Sequence, residues 1–204
     1  VHPRNTSDLA DDDIASVVFF QNKIGVMWSD QVSDTFRFTV HADGAPADAW
    51  SPPETALAGP GRVDDGISLR AARGGRVFAA LETALGEIRL AVRSVDGTWS
   101  DHLVASSDDA WHHPIALLDE EDRTVRVFGT ASSSLGAIHA KSASMDALAF
   151  QPGRGTAVIR HANHPFIGEA SSTKQSVTGA TGLVVLASQD EVRRGAHAGW
   201  RRGE

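Results

Sequence analysis

The 204-residue chain contains no cysteine and no tyrosine. The first absence excludes disulfides, thiolate nucleophiles and cysteine-ligated zinc, but it does not fix a compartment. The second removes any tyrosine nucleophile. No apolar run approaches the roughly 20 residues that a membrane helix needs. No stretch keeps apolar residues at i, i+3, i+4 and i+7 with caps at both ends, so helix signals are poor. There is no basic block either. The formal net charge is −7 with the nine histidines neutral. A groove for nucleic acid needs clustered Lys and Arg, so no nucleic-acid partner is expected. An acidic surface favours solubility and repels polyanions at long range, while a local basic pocket can still bind a carboxylate. Hydrophobic residues make up 41%, too many for disorder and enough for one sizeable core. The chain opens at Val1 without a methionine or a signal-peptide pattern, and is expected to be a processed or excised piece of something longer.

What is present is a unit that recurs about every 50 residues. Ile24-Gly-Val-Met-Trp, Arg76-Val-Phe-Ala-Ala and Thr124-Val-Arg-Val-Phe mark three copies, and Gly182-Leu-Val-Val-Leu marks a fourth after a longer insertion. Each copy reads as three or four short strands. Thr35 to His41 alternates, with Phe36, Phe38 and Val40 on one face and Arg37, Thr39 and His41 on the other. Gln21-Asn22-Lys23, Ala42-Asp43-Gly44, Gly74-Gly75, Asp96-Gly97 and Pro152-Gly153 are turn signals. Crossover helices are missing, which rules out a parallel βαβ sheet. The expected fold is all-β: a β-propeller of four-stranded antiparallel blades, about four blade equivalents, and a partial propeller. Blade limits near 11–58, 63–106, 112–160 and 166–204 follow. A two-sheet sandwich is the main rival. The last unit lacks its outer strand, while the residues before Asp11 resemble the tail of one. Either the two ends pair or, the favoured reading, other blades have been cut away. An open array then leaves edges and an apolar flank to be covered by additional blades or by self-association.

Several segments resemble a group of secreted bacterial β-propeller proteins with no assigned activity. They are Ile24-Gly-Val-Met-Trp-Ser-Asp-Gln31, Gly74-Gly-Arg-Val-Phe-Ala-Ala-Leu81, Pro114-Ile-Ala-Leu-Leu-Asp-Glu-Glu121, Gly153-Arg-Gly-Thr156, Ser172-Thr-Lys-Gln-Ser-Val-Thr178 and Thr181-Gly-Leu-Val-Val-Leu-Ala187. The resemblance implies further blades upstream and a place outside the cell. It transfers no catalytic residue. Ser94-Val-Asp-Gly-Thr-Trp99 is loosely similar to the Asp-box turn of sialidase-type propellers, but Asp96 and Gly97 are adjacent and Trp99 follows too soon. Sialidase chemistry needs a tyrosine nucleophile, which this chain lacks.

In a propeller, the loops leading into each innermost strand share one rim with the loops between second and third strands. The first set carries Asp11 to Asp13, Asp64-Asp65, His112-His113, His161 and His164; the second carries Asp30, Asp34, Glu82, Glu87, Asp190 and Glu191. Carboxylates and imidazoles meeting there can act as acids and bases, ligate a metal, or simply cap turns. Neither His-rich piece has the helical spacing of a zinc motif. No cofactor is expected, and Ca²⁺ is the metal that the Asp clusters suit, although no EF-hand loop is present. A basic residue recurs near the end of each third strand, at His41, Arg93, Lys141 and His197, which suggests a bond to the neighbouring blade. Ser171-Ser-Thr-Lys174 lacks the helical setting of its motif.

Together these features point to a ligand-binding or interaction propeller of the carbohydrate class. Trp28 and Trp111 are the candidate stacking platforms, and Asp13, Asp65 and His113 the candidate polar contacts. The alternatives are a carbohydrate-active enzyme, either a hydrolase with paired carboxylates or a lyase with a histidine base, and a purely structural propeller fragment.

Overall fold

The alternating stretches fold as strands, and every pairing among the described residues is antiparallel. The computed structural model describes residues 13–131, 136–160, 167–172, 182, 184–189 and 198–201. The first sheet holds β1 (Ala15–Phe20), β2 (Lys23–Asp30), β3 (Thr35–Ala42) and β4 (Glu54–Ala58). The second holds β5 (Ile67–Ala71), β6 (Val77–Glu82), β7 (Ile88–Arg93) and β8 (Trp99–Ala105). The third holds β9 (Trp111–Asp119), β10 (Thr124–Ala131), β11 (Ala137–Ser144) and β12 (Thr156–Ile159). The fourth holds β13 (Ile167–Ser172), β14 (Val184–Gln189) and β15 (Ala198–Arg201). Strands are paired in chain order within each sheet, as short hairpin turns require. No helix among the described residues is long and apolar enough to cross a membrane.

The sheets are arranged radially. The leading strands touch in sequence: β1 meets β5, β5 meets β9, and β9 meets β13. An apolar seam fills each gap. Phe20, Met27, Phe36 and Phe38 of the first sheet meet Leu69, Val77, Ala79 and Leu81 of the second. Phe78, Ile88 and Leu90 meet Trp111, Leu118 and Val127. Leu117, Phe128 and Ile138 meet Ile167, Val185 and Ala187. β6 shows why a mid-blade strand is apolar throughout. All six of its residues are buried, with Val77, Ala79 and Leu81 feeding one seam and Phe78 and Ala80 the other. This is a partial β-propeller, and the stacked-sheet sandwich is replaced by radial order.

Polar clamps reinforce the seams. Arg93, at the end of β7, grips Glu54 of β4 through two bonds of 2.6 and 2.7 Å. Its strand partner Trp99 adds a 2.8 Å bond from Nε1 to the same carboxylate. Lys141 of β11 is buried and donates to Val104 O at 2.8 Å and Asp109 Oδ2 at 3.1 Å. Both cations therefore bond to the preceding blade or the segment that follows it, as the recurrence of basic residues suggested. His41 instead contacts Pro46 O and the Trp50 ring in its own blade. His197 lies outside the described residues.

The first strand of the third blade, β9, begins at Trp111, one residue before the expected blade limit of 112. The strand passes through His113, whose φ of 50° lies in the left-handed region, and its register with β10 shifts between Phe128 and Thr130. That irregularity interrupts the alternation on which the sequence reading relied. The outer strand of the first blade runs over Glu54–Ala58, after Pro52-Pro53, and Trp50 before them makes a single isolated bridge to His41.

Candidate functional site

The rim loops join into one crescent, linked by hydrogen bonds and by the chain itself, that crosses four blades. It begins at Asp13, immediately before β1. Its Oδ1 accepts from the Gln31 backbone N–H at 3.1 Å and from Ser29 Oγ at 3.2 Å. Gln31 opens a 3-10 turn between β2 and β3, and its Nε2 donates to Asp65 Oδ1 of the next blade at 3.3 Å. Asp13 and Asp65, 52 positions apart in the chain, thus share one amide residue.

Gly66 carries the crescent inward. Its carbonyl accepts from Glu82 N–H at 3.0 Å, and a Cβ there would fall 2.5 Å from Glu82 Cβ and 2.9 Å from Pro114 Cδ. Only glycine permits that approach. Glu82 closes β6 and is buried. One carboxylate oxygen takes His112 Nδ1 at 2.8 Å, and the other takes the His113 backbone N–H at 2.8 Å. Against a carboxylate the Nδ1 must carry the proton, so Nε2 of a neutral His112 offers a lone pair. His113 in turn places Nδ1 2.9 Å from Glu169 Oε1, where both side chains are more than half exposed. Glu169 has a φ of 53°, so two residues in the left-handed region face one another at this rim. Non-glycine residues held there carry backbone strain of the kind that gathers at functional sites.

The structure brings Asp13, Asp65 and His113 onto this one crescent. It does not do so with the indoles. Trp111 is fully buried in the second seam and offers no stacking face. The reason is Gly129 on β10, two residues before Trp111's register partner Ala131: a Cβ there would lie 2.7 Å from the indole, so its absence lets the ring lie against the sheet. Trp28 is also buried, set within β2 between Ala15 and Arg37 and not in the loop beyond. The expectation of two exposed aromatic platforms is corrected on both counts.

The other rim carboxylates are held in local turns, in ion pairs or by the segment between β4 and β5. Asp30 is buried, accepts from Ser33 N–H and pairs with Arg37 at 3.0 Å. Asp34 Oδ1 accepts from Gly61 N–H at 3.2 Å. Glu87 pairs with Arg62 and Arg89, and the bond to Asp101 holds the Arg89 guanidinium above its ordinary value. At the Asp-box-like segment, Asp96 accepts from Thr98 N–H and Oγ1, which draws its carboxyl below the usual range and closes a local turn. Asp11, Asp12, His161, His164, Lys174, Asp190 and Glu191 lie outside the described residues. Among the described residues no group of three His, Asp or Glu stands ready for a metal ion.

Sequence reasoning missed Gln31, Glu169 and the pairing of Glu82 with His112. Gln31 gives no signal, since an amide in a loop is ordinary. Glu82 gives one: a carboxylate ending an otherwise apolar strand, Val77-Phe-Ala-Ala-Leu-Glu82, needs a partner once buried.

The innermost strands leave a cavity of about 170 Å³, lined from all four blades by residues that include Ser16, Arg70, Pro114 and Ser171. Arg70 is 5% exposed, and burial pulls its guanidinium down to about 10. No family model matches the chain, and no curated protein does. Among solved structures it is similar to the crystal structure of endo-arabinase from Bacteroides thetaiotaomicron VPI-5482, with 9% sequence identity over 97% of this chain and 78% of that one and a TM-score of 0.49, a likeness too slight to carry any argument about function.

Proposed function

We propose that the chain is a ligand-binding propeller module whose rim takes a hydroxyl-rich ligand of the carbohydrate class. Asp13, Asp65 and His113 are its polar contacts, with Gln31 and Glu169 completing the set. The observation that supports this reading is the crescent itself, which lines up carboxylate, amide and imidazole groups along one rim. Sugar hydroxyls both donate and accept, so alternating acceptors and donors suit them. With both indoles buried, recognition rests on hydrogen bonds, and affinity for a single sugar unit is expected to be modest. The test is calorimetry against a panel of polysaccharides. Binding that Asp65→Asn and His113→Ala each weaken at least tenfold supports the reading; no binding to any member removes it.

One observation favours a second reading, a carbohydrate-active enzyme with a histidine base. Buried Glu82 fixes the tautomer of His112 and aims its other nitrogen away from the carboxylate. If so, purified protein cleaves a polysaccharide and His112→Asn abolishes cleavage while leaving binding intact. Turnover that persists in that variant overturns it.

A further inference from the structure

We propose that Asp43 is a site of self-modification: its carboxyl and the Gly44 backbone nitrogen close to a succinimide, which opens to an isoaspartyl link. The chain holds three Asp-Gly pairs, Asp43-Gly44, Asp65-Gly66 and Asp96-Gly97, and the fold leaves only the first of them free to react. The turn at Gln31–Ser33 puts the start of β3 at the rim, so Asp43, just past its far end, lies away from the rim. The site is therefore independent of the rim reading.

The reaction needs the chain and water alone. The Gly44 nitrogen attacks Cγ of the protonated Asp43 carboxyl. An N–Cγ bond forms, the proton of the nitrogen and the carboxyl hydroxyl leave together as water, and a ring imide remains. Water then opens the ring. Breaking the N–Cγ bond restores aspartate. Breaking the bond from the nitrogen to the main-chain carbonyl carbon of Asp43 sends the backbone through the side chain, one carbon longer. Ring closure thus asks for a following residue without a side chain, an unengaged carboxyl, an unengaged N–H and room for the peptide plane to turn.

Asp43-Gly44 meets all four demands. Both residues are exposed, and a Cβ on Gly44 would meet nothing within 4 Å. The turn is held from outside by Asp43 N–H to Asn22 O at 2.8 Å and Ala45 N–H to Ala42 O at 3.1 Å. Among the described residues no bond engages the Gly44 N–H or the Asp43 carboxylate. The other two pairs fail. The Asp65 carboxylate accepts from Gln31 Nε2 at 3.3 Å. Gly66 is buried, its carbonyl takes Glu82 N–H, and a Cβ on it would fall 2.5 Å from Glu82 Cβ and 2.9 Å from Pro114 Cδ. Packing that close resists any turning of the peptide plane. The Asp96 carboxylate accepts from Thr98 N–H at 3.0 Å and from Thr98 Oγ1 at 2.8 Å. Those bonds favour the ionised, unreactive form and draw its carboxyl below the usual range. The Gly97 N–H is engaged by Ser94 O at 3.1 Å.

The experiment ages the whole chain at neutral pH and body temperature, beside a sample held unfolded in guanidinium chloride. Isoaspartate is read in each tryptic peptide by electron-transfer mass spectrometry. In the folded chain, Asp43 is expected to accumulate it at least fivefold faster than Asp65 or Asp96. In the unfolded sample that gap closes to less than twofold, because the fold and not the motif sets the difference. Asp43→Glu, at an exposed turn, removes the signal from a peptide that also holds Asp48. Equal rates at the three sites of the folded chain, a faster rate at Asp65 or Asp96, or no isoaspartate at Asp43 overturns the proposal. So does a signal that survives Asp43→Glu, or a fivefold gap that persists in the unfolded sample.

Discussion

The seam between the second and third blades and the outer face of the first blade are built from the same kinds of strand, yet they behave oppositely. In the seam, Phe78, Ile88, Leu90 and Val92 meet Trp111, Leu118, Val125 and Val127, all of them buried. Lys141 seals the edge through Val104 O and Asp109, and sits 5.5 Å from the Trp111 ring centroid. On the outer face of the first blade, Val17 and Phe19 are 54% and 63% exposed, and Ile24, the strand partner of Phe19, is 39% exposed. The same places in the sheet that hold Arg93 and Trp99 are taken there by His41 and Trp50, also strand neighbours. Arg93 and Trp99 both reach Glu54, whereas His41 and Trp50 rest on one another at 5.0 Å. A blade thus carries its clamp in its own strands, but the clamp acts only where a neighbouring blade supplies the acceptor.

Four measurements sharpen or break this contrast. Phe78→Ala opens a cavity in a closed seam and is expected to cost about 3–5 kcal/mol in urea unfolding. Lys141→Met leaves the buried Asp109 carboxylate without its cation and is expected to cost about 3 kcal/mol, with part recovered by adding Asp109→Asn. Arg93→Ala is expected to cost about 1–2 kcal/mol, and a double-mutant cycle with Glu54→Gln returns a clear coupling, since the bidentate contact is largely shielded. Phe19→Thr is expected to change stability by less than about 0.5 kcal/mol. A loss at Phe19 as large as that at Phe78 would show that the outer face is covered in solution, and the contrast would fail.

A fifth measurement concerns pH. Burial pulls the His139 imidazole below its ordinary value of 6.5, against the opposing bond to Arg154 O. The folded protein then binds fewer protons here than the unfolded chain as pH falls through 6.5. Stability contributed by this group is present above 6.5 and declines as acidification proceeds toward its folded value. His139→Asn flattens that part of the stability profile. A variant that keeps the wild-type slope between pH 7 and 5 assigns the dependence elsewhere.

Much of the architecture was legible because strand periodicity and turn chemistry are local. The alternation of Phe36, Phe38 and Val40 and the turn at Gln21-Asn22, with φ of 46° and 55°, needed no tertiary knowledge. The site was legible only in part. Asp13, Asp65 and His113 could be named because they precede leading strands. Trp111 was misread because the hollow that takes it is made by Gly129, 18 positions away. Glu169 could not be paired with His113 from sequence, since nothing along the chain shows that two bulged strands of adjacent blades turn toward each other.

The sequence by itself determined the class of fold, the order of strands and the fact that acidic and imidazole groups gather at strand entrances, because each follows from nearest-neighbour backbone preferences and hydrophobic alternation. Tertiary structure alone decided which groups are buried, which carboxylate meets which histidine, and that Arg70 faces a shared cavity. Those outcomes depend on the packing of separate sheets around an axis, and the distances that set desolvation and pairing exist only once the sheets have met.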